Sequence, residues 1–278
     1  FDRLVVGAHN QMASAASLQV AKTLGESYNP LFIYGSAGVG KTHLLQAVAN
    51  AVIEKNPEIN LKYITAERFI NEILSAIAED NIIAIRQHYN KLDLLMLDDI
   101  QHLMESKSTQ SEFLHVFNNL HQSNRQIILA ADRPPTQLTA FDKTIRSRLE
   151  WGLAAEIKIP DYATRIEILR LKQNTQGLNL SEEILRFVSF HLKSNVRELE
   201  GFLKKIHAYV TLAHQELSMD LVKRIILELL PEGSADSVFN VQTQTPHVPE
   251  GISKPIVASE IEPVASIQPP LPPKPSIF

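Results

Sequence analysis

Eight residues constrain this chain more than any others. Gly35-Ser36-Ala37-Gly38-Val39-Gly40-Lys41-Thr42 is a full match to the phosphate-binding loop pattern. Its glycines let the backbone curl N–H groups around an anion at a helix N-terminus, where the helix dipole also favours negative charge. The flanking context fits. Leu31 to Tyr34 is a short apolar run of the kind a buried strand requires, and Leu44, Leu45, Val48 and Val52 recur behind the loop at helical spacing. Lys41 is expected to reach the β- and γ-phosphates of a bound nucleotide, and the Thr42 hydroxyl to sit on Mg²⁺. The pattern is that of a nucleotide-binding protein.

Such a loop needs a sheet, and the chain supplies one. Leu61–Thr65, Leu94 to Asp98 and Asp99, Gln126–Ala131 and Ala155–Ile159 join Leu31–Tyr34 as strand candidates. Two of them are continuous apolar runs, as in parallel strands buried on both faces. They alternate with helical patterns, including Asn10–Leu24, with Met12, Ala15, Ala16, Val20 and Leu24 on one face, and Ala66–Ile77, with Phe69, Ile70, Ile73, Leu74 and Ile77. The expected fold is an α/β doubly wound parallel sheet, which binds ligands at the carboxyl ends of its strands. With 44% hydrophobic residues the chain can build a substantial core.

Strand signals vanish from Tyr162 to Leu230, where four apolar periodicities read as a small α-helical lid, its third helix opened by Asn195 with Glu198 three residues on. The expected boundaries are 1–160 for the nucleotide-binding base, 161–231 for the lid and 232–278 for a disordered, proline-rich linker or tail. That last segment holds nine of the 15 prolines, two lysines and no arginine. Within it Pro269-Pro270-Leu271-Pro272-Pro273-Lys274 resembles a polyproline-II ligand motif, or is simply solvated linker. A net charge of −4 confines any nucleic-acid contact to a local or composite surface, and the absence of cysteine excludes disulfides and thiolate metal sites. No apolar run is long enough to span a membrane, and no signal-peptide pattern is present. The chain opens at Phe1 without a methionine, so a longer parent protein is expected.

Asp98 and Asp99 end an apolar strand. One could hold the metal while the other orients or deprotonates the attacking water, or the pair could merely cap a turn. Asp132 closes a neighbouring strand, where it could sense the γ-phosphate or simply serve a turn. Arg146 and Arg148 lie near the base–lid junction, where an arginine could be offered to a neighbouring subunit's nucleotide or stay solvated. Arg197 opens a lid helix off its apolar stripe and could reach back over the nucleotide.

Together these motifs resemble the AAA+ ATPase module of the DnaA family, the bacterial replication initiators, from Phe1 to about Leu230. The resemblance rests on Tyr28–Gly35, Gly40-Lys41-Thr42-His43-Leu44-Leu45, Leu97-Asp98-Asp99-Ile100-Gln101, Asp132-Arg133-Pro134-Pro135, Glu150-Trp151-Gly152-Leu153 and Ser194–Gly201. It implies an AAA+ P-loop fold, a five-stranded parallel sheet followed by a helical lid, with a slow ATPase using ATP/ADP and Mg²⁺. It implies Gly35 to Thr42 as Walker A with His43 beside the nucleotide, Thr42 and Asp98 at the metal, and Asp99 as the water-activating Walker B acid. Asp132 would be sensor 1, Arg148 an arginine finger acting in trans, and Arg197 sensor 2. Val5, Val6 and Asn10 would lie near the adenine. The helix Ala66–Ile77 would bind single-stranded DNA, with Leu74 at an apolar contact position, and the subunits would assemble head to tail with ATP. A full-length initiator or replicative helicase is a further expected partner, and the cytoplasm of a bacterium the expected setting.

Three positions depart from the family pattern. Thr144 stands where an arginine is usual four residues before the finger. Ser106 and Ser108 replace basic residues around Lys107. The proline-rich segment occupies the place of a basic duplex-reading domain. The resemblance therefore implies either an initiator that helps unwind origin DNA or a related regulator of the Hda type that modulates an initiator's nucleotide state.

Overall fold

The computed structural model describes residues 1, 3–230 and 256–257. In chain order the base comprises β1 (Val5–Val6), α1 (Gln11–Lys22), β2 (Leu31–Tyr34), α2 (Lys41–Lys55), β3 (Leu61–Thr65), α3 (Ala66–Ala78), α4 (Ile82–Asn90), β4 (Leu94–Asp98), α5 (Lys107–Gln122), β5 (Gln126–Ala131), α6 (Lys143–Leu149) and β6 (Leu153–Glu156). Four helices follow: α7 (Tyr162–Thr175), α8 (Glu182–His191), α9 (Val196–Thr211) and α10 (Met219–Leu229). A two-residue strand, β7 (Ile256–Val257), comes last.

Five strands form one parallel sheet in the order β3-β4-β5-β2-β6. Helices cover both faces, so the strands need no polar side. Leu94 and Met96 of β4 enter the core shared with Leu44 and Val48 of α2, whereas Leu95 and Leu97 enter the opposite core with Phe69, Phe113 and Phe117. This period-two division explains why the strands read as unbroken apolar runs. A third core lies within α7–α10, centred on Leu199, Phe202, Leu203 and Ile226. The short strand β1 connects two of these cores by the same alternation: Val5 packs into the helical core and Val6 into the base.

Several sequence expectations shift in detail. The inward face of α1 is Ala13, Ser14, Ala16, Ser17, Val20 and Ala21, while Met12 is exposed. Small residues let α1 lie close along α2, so the buried face is set by size more than by hydrophobicity. The edge strand β6 spans 153–156 instead of 155–159, because its ladder with β2 begins at the Leu31–Leu153 pair. Its register ends by Glu156, although the Ile157 N–H still donates to the Tyr34 carbonyl at 2.7 Å. The expected 232–278 tail, with its Pro269–Lys274 motif, lies outside the described residues apart from β7. Those two residues depart from a structureless tail, pairing antiparallel with β1 as Val5–Val257 and Val6–Ile256. Among the described residues no helix is long and apolar enough to cross a membrane.

Candidate functional site

The loop after β2 turns back over the sheet's carboxyl end, and two of its glycines are required, one by contact and one by its backbone conformation. A Cβ on Gly35 would lie 2.1 Å from the Ile157 carbonyl oxygen beside β6. Gly38 has φ +78 and sits under the start of α9, where a Cβ would come within 3.1 Å of Arg197 Cγ. The Gly38 carbonyl accepts the Val196 N–H at 3.0 Å, so the N-terminus of the lid helix rests directly on the loop. Asn195 caps that helix, its Oδ1 accepting the Glu198 N–H at 3.0 Å. Two helix N-termini, of α2 and α9, therefore converge on the same place, and Arg197 lines the cleft between them.

Lys41 opens α2 and is buried, with its Nζ donating to the carbonyls of Gly35 at 2.7 Å and Ser36 at 3.1 Å. Burial pulls the pKa of this ammonium down from its ordinary value, and the charges of Asp99, Asp98 and Asp132 oppose that pull. A buried cation held by neutral carbonyls is matched to an anion delivered from outside. Behind Thr42, Asp98 is 1% exposed, its Oδ2 accepting the Thr42 hydroxyl at 2.7 Å and the Tyr63 hydroxyl at 3.0 Å. Its Oδ1 accepts the Asp99 N–H at 3.0 Å. Burial pushes the Tyr63 hydroxyl well above the usual phenol range, and Asp98 adds to the shift.

Asp99 leaves the strand in the left-handed region, φ 55 and ψ 44, which turns its carboxylate toward the cleft that it lines. Gln101 bridges the two strand ends: its Nε2 donates to Asp99 Oδ1 at 3.1 Å and its Oε1 accepts the Asp132 N–H at 3.3 Å. The Asp132 carboxylate receives a bidentate contact from Arg133, at 2.8 and 2.7 Å, which holds it below the usual carboxylate range.

The lead-in closes the cleft from the other side. Asn10 pins its turn, Nδ2 donating to the Val5 carbonyl at 3.0 Å and Oδ1 accepting the Gly7 N–H at 3.1 Å. The His43 ring lies 3.3 Å from the Arg3 carbonyl, tying that segment to α2, and burial lowers its pKa. Val5, Asn10, residues 37–43, Asp99, Asp132 and Arg197 all line one cleft of about 510 Å³. Val6 does not line it, because β1 turns that side chain into the base core. Gly35 and Ser36 lie behind the lining with their carbonyls on Lys41, and Asp98 lies behind Thr42. Sequence reasoning assigned no role to Tyr63, Gln101, Lys172 or Glu200, although Gln101 and Glu200 lie within motifs it singled out. Lys172 and Glu200 meet at 2.6 Å on the lid side of the cleft.

Arg148 lies elsewhere. It is outside the cleft, its guanidinium 4.1 Å from the centre of the Trp151 ring, which stacks on His121 at 4.9 Å. Arg148 has no carboxylate partner among the described residues, and its Nε has no hydrogen-bond partner there either.

A nucleoside triphosphate fits these residues: a glycine cradle, a buried lysine and two helix N-termini on one side, and carboxylates opposite. The described residues contain no cluster of three or more histidine or acidic side chains able to hold a metal alone. The Thr42–Asp98 pair is instead the kind of partial oxygen set with which Mg²⁺ takes its remaining ligands from phosphates and water.

A parallel sheet with a phosphate loop after the strand next to its β6 edge, strand-end carboxylates and a helical lid resting on that loop defines a P-loop ATPase of the AAA+ class. Comparison with known proteins agrees. The family model of the bacterial DnaA ATPase domain matches residues 1–156. The crystal structure of domain III of the Thermotoga maritima replication initiation protein DnaA is 37% identical over 82% of this chain and 95% of that one, with a TM-score of 0.79. AMPPCP-bound DnaA from Aquifex aeolicus is 38% identical over 73% of this chain and 62% of that one, at TM-score 0.69. A replication initiator DnaA bound to AMPPCP and single-stranded DNA is 38% identical with the same coverage, at TM-score 0.68. The present chain thus spans less than two thirds of the latter two. This chain belongs to the bacterial DnaA ATPase-domain family.

Replacing Lys41 with alanine removes the only cation among the described residues that is hydrogen-bonded to the loop carbonyls. It is expected to weaken ATP binding by about 1.5–3 kcal/mol, the worth of a hydrogen bond to a charged group. Titration with a fluorescent ATP analogue measures this, and unchanged affinity would contradict it. A second expectation concerns acid stability. Burial lowers the pKa of His9 from 6.5 to about 4. The unfolded chain takes up this proton near its ordinary pKa while the folded one stays neutral, so stability falls as pH drops from about 6.5 to about 4, by up to about 3 kcal/mol. Urea titrations across that range should show a shallower pH slope for His9→Gln, and an identical slope would refute the assignment.

Proposed function

We propose that this chain is the ATPase module of a replication initiator. It binds ATP with magnesium in the cleft, associates head to tail with further copies, and helps open origin DNA. Residues 1–160 act as the base and 161–231 as the lid. Lys41 neutralises the β- and γ-phosphates, and the loop N–H groups from Ala37 to His43 cradle them, with Gly35 and Ser36 shaping the loop behind. Asp99 accepts the proton of the attacking water, which Asp132 helps to position, and Arg197 brings lid charge over the phosphates. Val5 and Asn10 shape the base pocket. Thr42 and Asp98 would hold magnesium, which supplies charge neutralisation on the phosphates when bound. Single-stranded DNA would lie along α3, where Leu74 and Ile77 are 44% and 47% exposed. The relative solved with single-stranded DNA supports that reading.

One observation carries the assembly reading. Arg148 sits outside its own cleft, stored on an exposed aromatic face, without a carboxylate to neutralise it among the described residues. A cation so placed gains most from an anion supplied by another molecule, as in trans stabilisation of phosphoryl transfer. Thr144, exposed one helical turn before Arg148 on the same face, favours a second reading, in which the face docks on a full-length initiator or a replicative helicase instead of on a copy of itself.

Asp99→Asn should bind ATP nearly as the unaltered chain does while turnover falls by about 10²–10⁴-fold, the range of general-base effects. Retained turnover would remove Asp99 from the mechanism. Arg148→Ala should abolish the difference in sedimentation between ATP and ADP while leaving monomer nucleotide affinity intact. In the unaltered chain the fluorescence of Trp151, the only tryptophan, should change as Arg148 leaves it on assembly. A chain that stays monomeric with ATP at high concentration, yet binds a separate initiator, would overturn the initiator reading in favour of the regulator.

A further inference from the structure

Tyr63 belongs to none of the motifs that define the site, yet it touches the site's most buried carboxylate. It occupies the middle of β3, two residues before the end of the strand, and β3 pairs with β4 so that Thr65 stands beside Asp98. From there its hydroxyl reaches Asp98 Oδ2 at 3.0 Å. The same oxygen takes the Thr42 hydroxyl at 2.7 Å, and Oδ1 takes the Asp99 N–H at 3.0 Å. The Asp98 carboxylate is thus held by three donors from three separate elements.

Each donor restrains something different. The Asp99 N–H is part of the same strand end and fixes one oxygen. The Thr42 hydroxyl approaches from the first turn of α2, and its direction changes if the loop leading into that turn moves. The terminal torsion of an aspartate is soft, so one donor per oxygen leaves the plane of the carboxylate free to rock. Tyr63 supplies the second donor on Oδ2 from a rigid ring seated in the sheet. It makes the carboxylate plane a property of the sheet rather than of the loop. A fixed plane also fixes where the Thr42 proton goes: with that proton committed to Asp98, the oxygen lone pairs of Thr42 are left toward the cleft.

We propose that Tyr63 is a positioning residue for the magnesium–nucleotide site, acting through Asp98 to orient the Thr42 hydroxyl for metal binding. The proposal rests on the reading of Thr42 and Asp98 as the metal pair. Outer hydrogen-bond partners of metal-binding groups commonly change metal affinity by about 10–100-fold when removed, which sets the size of the expected effect.

The test is the magnesium dependence of nucleotide affinity in the full chain, with Tyr63→Phe, Asp98→Asn and the double variant, read with a fluorescent ADP analogue from chelated solution to millimolar Mg²⁺. Tyr63→Phe keeps the ring, so nucleotide affinity without magnesium should stay within about twofold, whereas the magnesium midpoint should rise roughly tenfold. In the Asp98→Asn background the loss of the hydroxyl should add nothing, because Tyr63 acts through that carboxylate. A midpoint unmoved by Tyr63→Phe but shifted by Asp98→Asn would overturn the role of Tyr63 and leave the metal pair standing. A midpoint unmoved by either substitution would overturn the metal pair and this proposal with it. Equal losses with and without magnesium would show a merely structural tyrosine and would also overturn the proposal.

Discussion

The hydrogen bond between the Thr42 hydroxyl and Asp98 joins two parts of the molecule that the sheet holds apart. Thr42 follows β2 and Asp98 ends β4, with β5 between them, a separation of roughly 10 Å at ordinary strand spacing. The contact at 2.7 Å forms because the loop after β2 bends over the end of β5, and β5 stops at Ala131 to let it pass. The Gly35 N–H to the Ala131 carbonyl, at 3.3 Å, marks that crossing. Phosphate cradle and carboxylates thereby become one site. A site built on strand ends and a helix start, instead of on free loops, is already organised before ligand arrives.

The lid depends on the same loop. Val196 donates to Gly38, Asn195 caps α9 directly above, and Gly38 holds a left-handed backbone tight under Asn195 and Arg197. Any shift of the loop on binding triphosphate is therefore felt at the N-terminus of α9, and any shift of α9 carries Arg197. The two-residue strand β1 makes a second tie, with Val5 packed among the helices of the lid and Val6 in the base. Coupling between nucleotide and lid follows from direct contact, with no long relay between them.

Much of this was legible in the sequence, and the reasons are physical. The central strands announced themselves because burial on both faces forces unbroken apolar runs, as in Leu94–Leu97. The loop was legible because backbone phosphate binding leaves few choices of residue. The lid helices were legible because each buries a regular stripe against its neighbours. The face of α1 was misread because apart from Val20 it is buried through Ser14, Ser17 and alanines, which carry little hydrophobic signal. The helix α4 buries only Tyr89 and so shows little pattern. The contacts of Tyr63 to Asp98 and of Gln101 to Asp132 were hidden for another reason. The partners lie 35 and 31 residues apart in sequence, and only the register of β3 and the turn after β4 bring them together.

The proposed nucleotide site, shared between the phosphate loop and the lid, makes a demand that neither part alone would. Amide hydrogen exchange of the full chain, without nucleotide and with saturating ATP and magnesium, reports both parts at once. Binding should slow exchange at residues 38–42 and, together with them, at Val196 and Arg197 at the start of α9, with the same dependence on ATP concentration. Protection confined to the loop, with α9 exchanging as it does in the free protein, would contradict the shared site.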